Sequence, residues 1–185
     1  MNVFYLSHDP IIAAQEHCDK HVVKMIIEYA QMLSTAHRMC DGTKMRVPSK
    51  SGKRMVDYYA HPEEWKEVLL YKAVHHNHPS TKWVRSTNNN YTWMYCCWWA
   101  LCKEYTYRYG KVHSTETLLK NVLINPPKNI EVGYKTQPPP AMSHYPECIV
   151  EGDSVASYHK YYRVAKKDFA KWTKREIPKW YTKEL

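Results

Sequence analysis

DKHVVKMIIEYAQMLSTAHRM, residues 19–39, carries the helical repeat that decides how the chain is read. At about 100° per residue, Val22, Val23, Ile26, Ile27, Ala30, Leu33 and His37 fall on one broad face, which is the expected core side. His17, His21, Lys24, Glu28, Gln31 and Thr35 fall within a narrow arc on the other side. The stretch therefore predicts one long helix from Asp19 to Met39 with a polar stripe along it.

The same repeat extends in both directions. Upstream, Met1–Leu6 is a short extended lead-in, and Ser7-His8-Asp9-Pro10 reads as a helix start, with Asp9 as cap and Pro10 in the first turn. A first helix runs from Pro10 to Glu16. Downstream, residues 41–60 break the pattern with Gly42, Pro48 and Gly52, and read as a mobile basic loop. A helix over Pro62–His75 leads to the polar elbow Val74-His75-His76-Asn77-His78-Pro79. Tyr91, Met94, Tyr95, Trp98, Leu101, Cys102 and Tyr105 mark a core helix over Asn90–Tyr109, closed by Gly110. A short helix over Thr115–Leu123 precedes a Pro-rich strap at 125–147, whose Pro138-Pro139-Pro140 suits a stiff extended run. A basic helix over 153–175 closes the list of elements, with Tyr158, Tyr162, Ala165, Phe169 and Trp172 as its apolar stripe. The expectation is all-α: one domain over 1–185, a compact bundle of about five to seven helices.

The 185 residues carry 27 Lys+Arg against 18 Asp+Glu, a net charge of +9. That sign favours an anionic partner, nucleic acid first. The charge is local. Lys44, Arg46, Lys50, Lys53 and Arg54 against Asp41 and Asp57 leave the 40–60 segment at +3. From Ser154 to the end, nine Lys/Arg against three Asp/Glu leave +6, with Lys160, Arg163, Lys167, Lys171 and Lys174 assigned to one side of the last helix. These two groups are the candidate phosphate contacts. The aromatic set is 16 Tyr and 7 Trp against 2 Phe, rings that keep a polar edge and suit half-buried grooves or base stacking. The six Cys form no C-x-x-C pair, and the start shows no basic-then-apolar leader. Free thiols and a cytoplasmic location are expected. No apolar run reaches the roughly 20 residues of a membrane span, so no membrane partner is expected.

Three arrangements carry chemistry. Lys24 and Glu28 are neighbours at i, i+4, with His17 and His21 on the same stripe. Glu28 suits general acid–base work and Lys24 a nucleophile, although such a pair is also common on an ordinary amphipathic face. His17 and His21, with His75, His76 and His78, offer imidazoles for a metal, yet no named zinc spacing is met, and neither metal nor cofactor is assigned. The elbow Asn77-His78-Pro79, leading to Trp83 and Arg85, either lines a pocket or places His78 as a helix cap with Pro79 beginning the helix. There is no Walker loop, no G-x-G-x-x-G and no G-x-S-x-G.

Several of these residues together resemble a family. Met1-Asn2-x-Phe4 opens the chain, Cys18-Asp19-Lys20-His21 leads seven residues later to Glu28, and Asn77-His78-Pro79 precedes Trp83 and a helix with Glu104 and Arg108. The pattern resembles the pyrimidine-dimer DNA glycosylases, small phage and bacterial repair enzymes, in patches over about two thirds of the chain; Ile27 stands where the phage enzyme has an arginine. The resemblance implies a helical fold, double-stranded DNA as partner, and excision of a damaged or modified pyrimidine with strand cleavage at the abasic site. It implies an α-amine nucleophile, here Met1, with Lys24 as the substitute amine and Glu28 as the catalytic carboxylate. Asn2, His21, Asn77, His78, Trp83 and Arg85 would then bind substrate, and a displaced base would rest among Tyr and Trp rings. Two other readings stand beside it: an enzyme processing a small-molecule nucleotide, with or without a metal, and a non-catalytic nucleic-acid-binding protein.

Overall fold

Asp9 ends the lead-in by accepting the amides of Ile11 and Ile12, and Pro10 opens α1 (Pro10–Gln15). The computed structural model describes residues 1–182. After a sharp corner at Glu16–Cys18 the chain enters α2 (Asp19–Cys40), the long helix around which the rest is arranged. Its 22 residues span roughly 33 Å at the usual rise.

The segment after α2 corrects the all-α expectation. Thr43–Pro48 (β1) and Met55–Ala60 (β2) form an antiparallel hairpin, with Thr43 opposite Ala60 and Pro48 opposite Met55. The described residues are mostly helical with one two-stranded sheet. The stretch expected to be a mobile basic loop is hydrogen-bonded strand, because Lys44 and Arg46 on β1 both meet Asp57 across the ladder and offset its cross-strand charge. Gly42 is required where the hairpin leaves α2: a Cβ there would sit 2.3 Å from the Arg38 carbonyl.

Helix α3 (Glu64–Leu69) is shorter than the expected 62–75 run. It stops because Arg38, 1% exposed, draws the carbonyls of Glu67, Leu70 and Tyr71 onto its guanidinium. Helix α4 (Pro79–Val84) follows the elbow, and α5 (Asn88–Tyr109) crosses α2 through Trp98, whose indole donates to the Ile26 carbonyl at 3.0 Å. Gly110 ends α5 in the left-handed region at φ 68°. Helix α6 (Ser114–Leu119) precedes the strap, which has no regular structure until a short 3₁₀ turn at Pro146–Cys148. The strap is held by the side chains of Asn88, Asn89 and Asn90.

The last helix is also corrected. Helix α7 covers Ser154–Ala165 only, and α8 covers Lys179–Thr182. Past Ala165 the chain is captured by the α1–α2 corner. Asp19 accepts the amide and hydroxyl of Thr173 and donates its own amide to the Lys171 carbonyl, while Trp172 donates to Glu16. These tertiary bonds outcompete continued helix, so Lys167, Lys171 and Lys174 do not share a helical face with Lys160 and Arg163.

Helix α2 is covered on both flanks: α5 lies on one, and on the other Phe4 stacks on His21 with ring centroids 4.1 Å apart while Tyr162 meets His21 edge-on. The stripe expected to be polar surface is thus largely buried, and Val23 and Ile27, expected in the core, stand 43% and 42% exposed. Tyrosine hydroxyls make the burial tolerable: Tyr29 meets His17, Tyr162 meets His21 and Tyr91 meets His37. Many of the tyrosines therefore serve the core. All six cysteines are free thiols, and no described helix is long and apolar enough to cross a membrane.

Candidate active site

The lead-in is the key to the site. Val3, Phe4, Tyr5 and Leu6 are all buried, and the Phe4 amide donates to the Tyr29 hydroxyl on α2. This threads the start of the chain through the core and delivers Met1 to the middle of α2. The Met1 side chain is 4% exposed, and its sulfur accepts the Thr81 hydroxyl of α4 at 3.8 Å. The α-amine then lies 4.0 Å from Glu28 Oε2, while Lys24 Nζ lies 3.2 Å from Glu28 Oε1. Two amines flank one carboxylate whose side chain is 18% exposed. They differ in setting: Lys24 is 68% exposed and lacks the desolvation that activates a nucleophilic lysine, whereas the α-amine is held by a buried side chain.

The elbow closes this corner. His78 caps α4 by accepting the Ser80 amide, with Pro79 opening the helix, so the capping role is realised. Burial lowers the His78 imidazole from its ordinary range, the Met1 ammonium and His75 push the same way, and Glu28 opposes them. His78 is therefore electrostatically coupled to both the amine and the carboxylate. His75 takes φ 46°, a left-handed conformation uncommon outside glycine, at the turn that presents His76, Asn77 and His78. Asn77 is exposed and Asn2 half-buried.

Other expected site residues lie elsewhere. His21 turns to Tyr162 and Phe4; burial first, then the charges of His17, Lys166 and Lys24, lower it to about 2. His17 uses both ring nitrogens, on the Ala13 carbonyl at 2.6 Å and on Tyr29 at 2.8 Å, and burial lowers it to about 4. The pair is thus structural and does not ligate metal together with His75, His76 and His78. Trp83 is core, its indole bonded to Thr136. Arg85 is half-buried near Cys40 and Tyr59, toward the hairpin end of α2.

The basic residues form two groups at opposite ends of α2. At the hairpin, Lys50, Lys53 and Arg54 are exposed at the tip, while Lys44 and Arg46 are paired with Asp57. At the other end, Lys167 and Lys171 are exposed, Lys174 donates to the Tyr107 carbonyl, Arg163 donates to the Trp180 carbonyl, and Lys160 is half-buried. Lys20 and Lys166 were missed. Lys20 lies over the Phe169 ring and Lys166 over the Tyr161 ring, both at 4.6 Å. Their signal, two lysines brought together across 146 positions, exists only in the fold.

Sequence reasoning also missed a cluster at the C-terminal end of α2, where His37, Asp41 and His61 bring their ligand atoms within 4.8 Å of one another. His37 had been read as core, although the i, i+4 spacing of His37 and Asp41 was a visible sign. Compared with models of known protein families, with curated proteins and with solved structures, the chain matches none.

Proposed function

We propose that the chain is a DNA glycosylase acting on a damaged or modified pyrimidine in double-stranded DNA, with the Met1 α-amine as nucleophile and Glu28 as the catalytic carboxylate. The observation that carries this is the convergence of a core-anchored α-amine and a partly shielded carboxylate 4.0 Å apart, from positions 27 residues distant in the chain.

The chemistry follows from these groups. The amine, once it has passed its proton to Glu28 or water, attacks the anomeric carbon of the flipped nucleotide. The N–C1′ bond forms as the glycosidic bond breaks, and the base leaves with the bonding pair and takes up a proton. Glu28 stabilises the positive charge developing on the sugar. Ring opening gives an imine, and removal of a C2′ proton expels the 3′ phosphate as the lyase step. Water then hydrolyses the imine and returns the amine.

The charge arrangement suits a duplex. The basic groups lie at the two ends of a helix roughly 33 Å long, comparable to one turn of B-DNA at about 34–36 Å, with Glu28 between them. Partial shielding of Glu28 disfavours a purely non-catalytic binding role, in which this residue would be solvated.

The test is borohydride trapping on a labelled duplex with an abasic site, followed by peptide mass mapping. A reduced adduct on Met1 is expected. An adduct on Lys24 would transfer the nucleophile to that side chain. No adduct, from protein shown to bind the duplex, rejects the amine mechanism and leaves at most hydrolysis by activated water.

A further inference from the structure

Away from the amine site, the end of α2 carries a cluster that the proposed chemistry does not use. His37 projects from its last turn, Asp41 caps its C-terminal end four residues on, and β2 delivers His61 directly after Ala60. The His37 residue and the His61 side chain are 0% exposed, and the Asp41 side chain is 4% exposed. His61 Nε2 lies 3.8 Å from Asp41 Oδ2, and all three ligand atoms fall within 4.8 Å of one another. We propose that His37, Asp41 and His61 bind a zinc ion that clamps the base of the hairpin to the end of α2.

Three observations support the assignment. First, His61 Nε2 is buried without a hydrogen-bond partner among the described protein groups, and His37 Nδ1 is buried with no hydrogen bond of good geometry, although the Asn125 backbone acts on the same ring. Buried polar atoms rarely remain unpaired, and His61 Nε2 lies 3.8 Å from the Asp41 carboxylate. Second, the surroundings orient the ligands. The Tyr91 hydroxyl donates to the Leu123 carbonyl at 2.9 Å, so at 2.8 Å from the same oxygen His37 Nε2 is the donor, which leaves Nδ1 as a free lone pair. Asp41 is fixed by the amides of Lys128 and Asn129, both at 2.9 Å. Outer hydrogen bonds of this kind accompany metal-bound histidine and carboxylate. Third, two imidazoles and a carboxylate form a zinc donor set, with water as the fourth ligand. Tetrahedral zinc sets ligand atoms about 3.3–3.5 Å apart, so closure requires about 1 Å of contraction.

Three features oppose binding. The Asn125 backbone acts on the His37 ring as a competing hydrogen-bond acceptor. The Glu63 amide donates to His61 Nδ1 at 3.1 Å; zinc on Nε2 moves the ring proton to Nδ1 and breaks this local contact. Lys66 acts electrostatically on both rings, but its ammonium is paired with Glu63 at 3.1 Å. A buried water, accepting from His61 and donating to His37 and Asp41, would satisfy the same atoms without zinc. The two occupants differ in what a titration shows. Because its ligand side chains are buried at the hairpin end of α2, away from Glu28, zinc here holds structure and takes no part in base excision.

The experiment uses the full chain, stripped with chelator and titrated with zinc while bound metal, the cobalt(II) absorption spectrum and the melting temperature are followed. The expected result is one tightly held zinc per chain, tetrahedral cobalt bands, and a melting temperature higher by about 5–10 °C at a hundredfold excess over Kd. His37→Ala and His61→Ala should each abolish all three responses while melting cooperatively in chelator. Should either variant fail to fold, the wild-type titration still decides. No zinc bound, or equal melting temperatures with zinc and chelator, overturns the proposal in favour of water. Zinc bound equally well by folded variants lacking His37 or His61 overturns it too, by placing the metal on other histidines.

Discussion

Replacing Glu28 by Gln preserves volume and helix propensity while removing one charge and one proton acceptor. The structure sets the cost to folding. The Lys24 partner is 68% exposed, and such pairs contribute well under 1 kcal/mol. The α-amine contact is long at 4.0 Å. Together their loss should cost about 1 kcal/mol, which for a chain of this size lowers the melting temperature by about 2–4 °C. The cost to catalysis is set by a different scale. A positioned acid–base group contributes about 10²–10⁴ in rate, or roughly 3–5 kcal/mol of barrier. Single-turnover cleavage of an abasic duplex should therefore slow by at least about a hundredfold, with duplex affinity within a few-fold and the melting temperature lower by only about 2–4 °C. Full activity in Glu28→Gln would refute the assigned role. A collapse of binding and stability together would show that Glu28 holds structure and does not serve the reaction.

Other outcomes are as concrete. Lys167→Ala with Lys171→Ala should weaken duplex binding regardless of sequence and reduce the slope of log K against log salt by about 2; an unchanged slope removes that end of α2 from the phosphate path. The Lys50, Lys53 and Arg54 triple alanine variant should reduce the slope by about 3, and Lys44 or Arg46 by less, because Asp57 already pairs them. Folded His17 and His21 titrate below their unfolded range, at about 4 and about 2. The unfolded chain thus binds more protons than the folded one below about pH 6.5. Stability should be full above that pH and fall as pH drops toward 4, by up to about 4 kcal/mol for the pair at pH 5. A melting temperature flat between pH 7 and 5 would contradict that burial. Arg38→Met strands four carbonyls, those of Tyr59, Glu67, Leu70 and Tyr71, and the Glu67 carboxylate, although Tyr58 and the His61 amide still hold Glu67. Calorimetry should find a loss of about 3 kcal/mol, or about 6–12 °C.

Features whose cause lies within one or two turns could be read from the residues alone. Asp9 and Pro10 start α1, His78 and Pro79 start α4, and Gly110 ends α5, because capping and left-handed backbone are local chemistry. The limits of α2 and α5 fall within two residues of those expected, and Lys24 meets Glu28 because a period of 3.6 makes i and i+4 neighbours in any helix. The hairpin was hidden because β1 is almost entirely exposed and so lacks the apolar alternation that marks a half-buried strand. Its pairing is a contact between segments.

Tertiary structure decided the rest. Which flank of α2 is buried depended on Phe4 and Tyr162, from opposite ends of the chain, covering His21 with a ring face and a hydroxyl. The end of α7 depended on Asp19 offering hydrogen bonds to Thr173. The candidate sites divide in the same way. Lys24 and Glu28 were neighbours by helical geometry, but the Met1 amine reaches Glu28 only because residues 3–6 are drawn into the core, and His61 reaches His37 and Asp41 only because the hairpin folds back. Helical spacing sets neighbours at fixed angles through local backbone hydrogen bonds. Groups separated by a loop or a terminus meet where burial of apolar area brings their segments together, which depends on the whole chain.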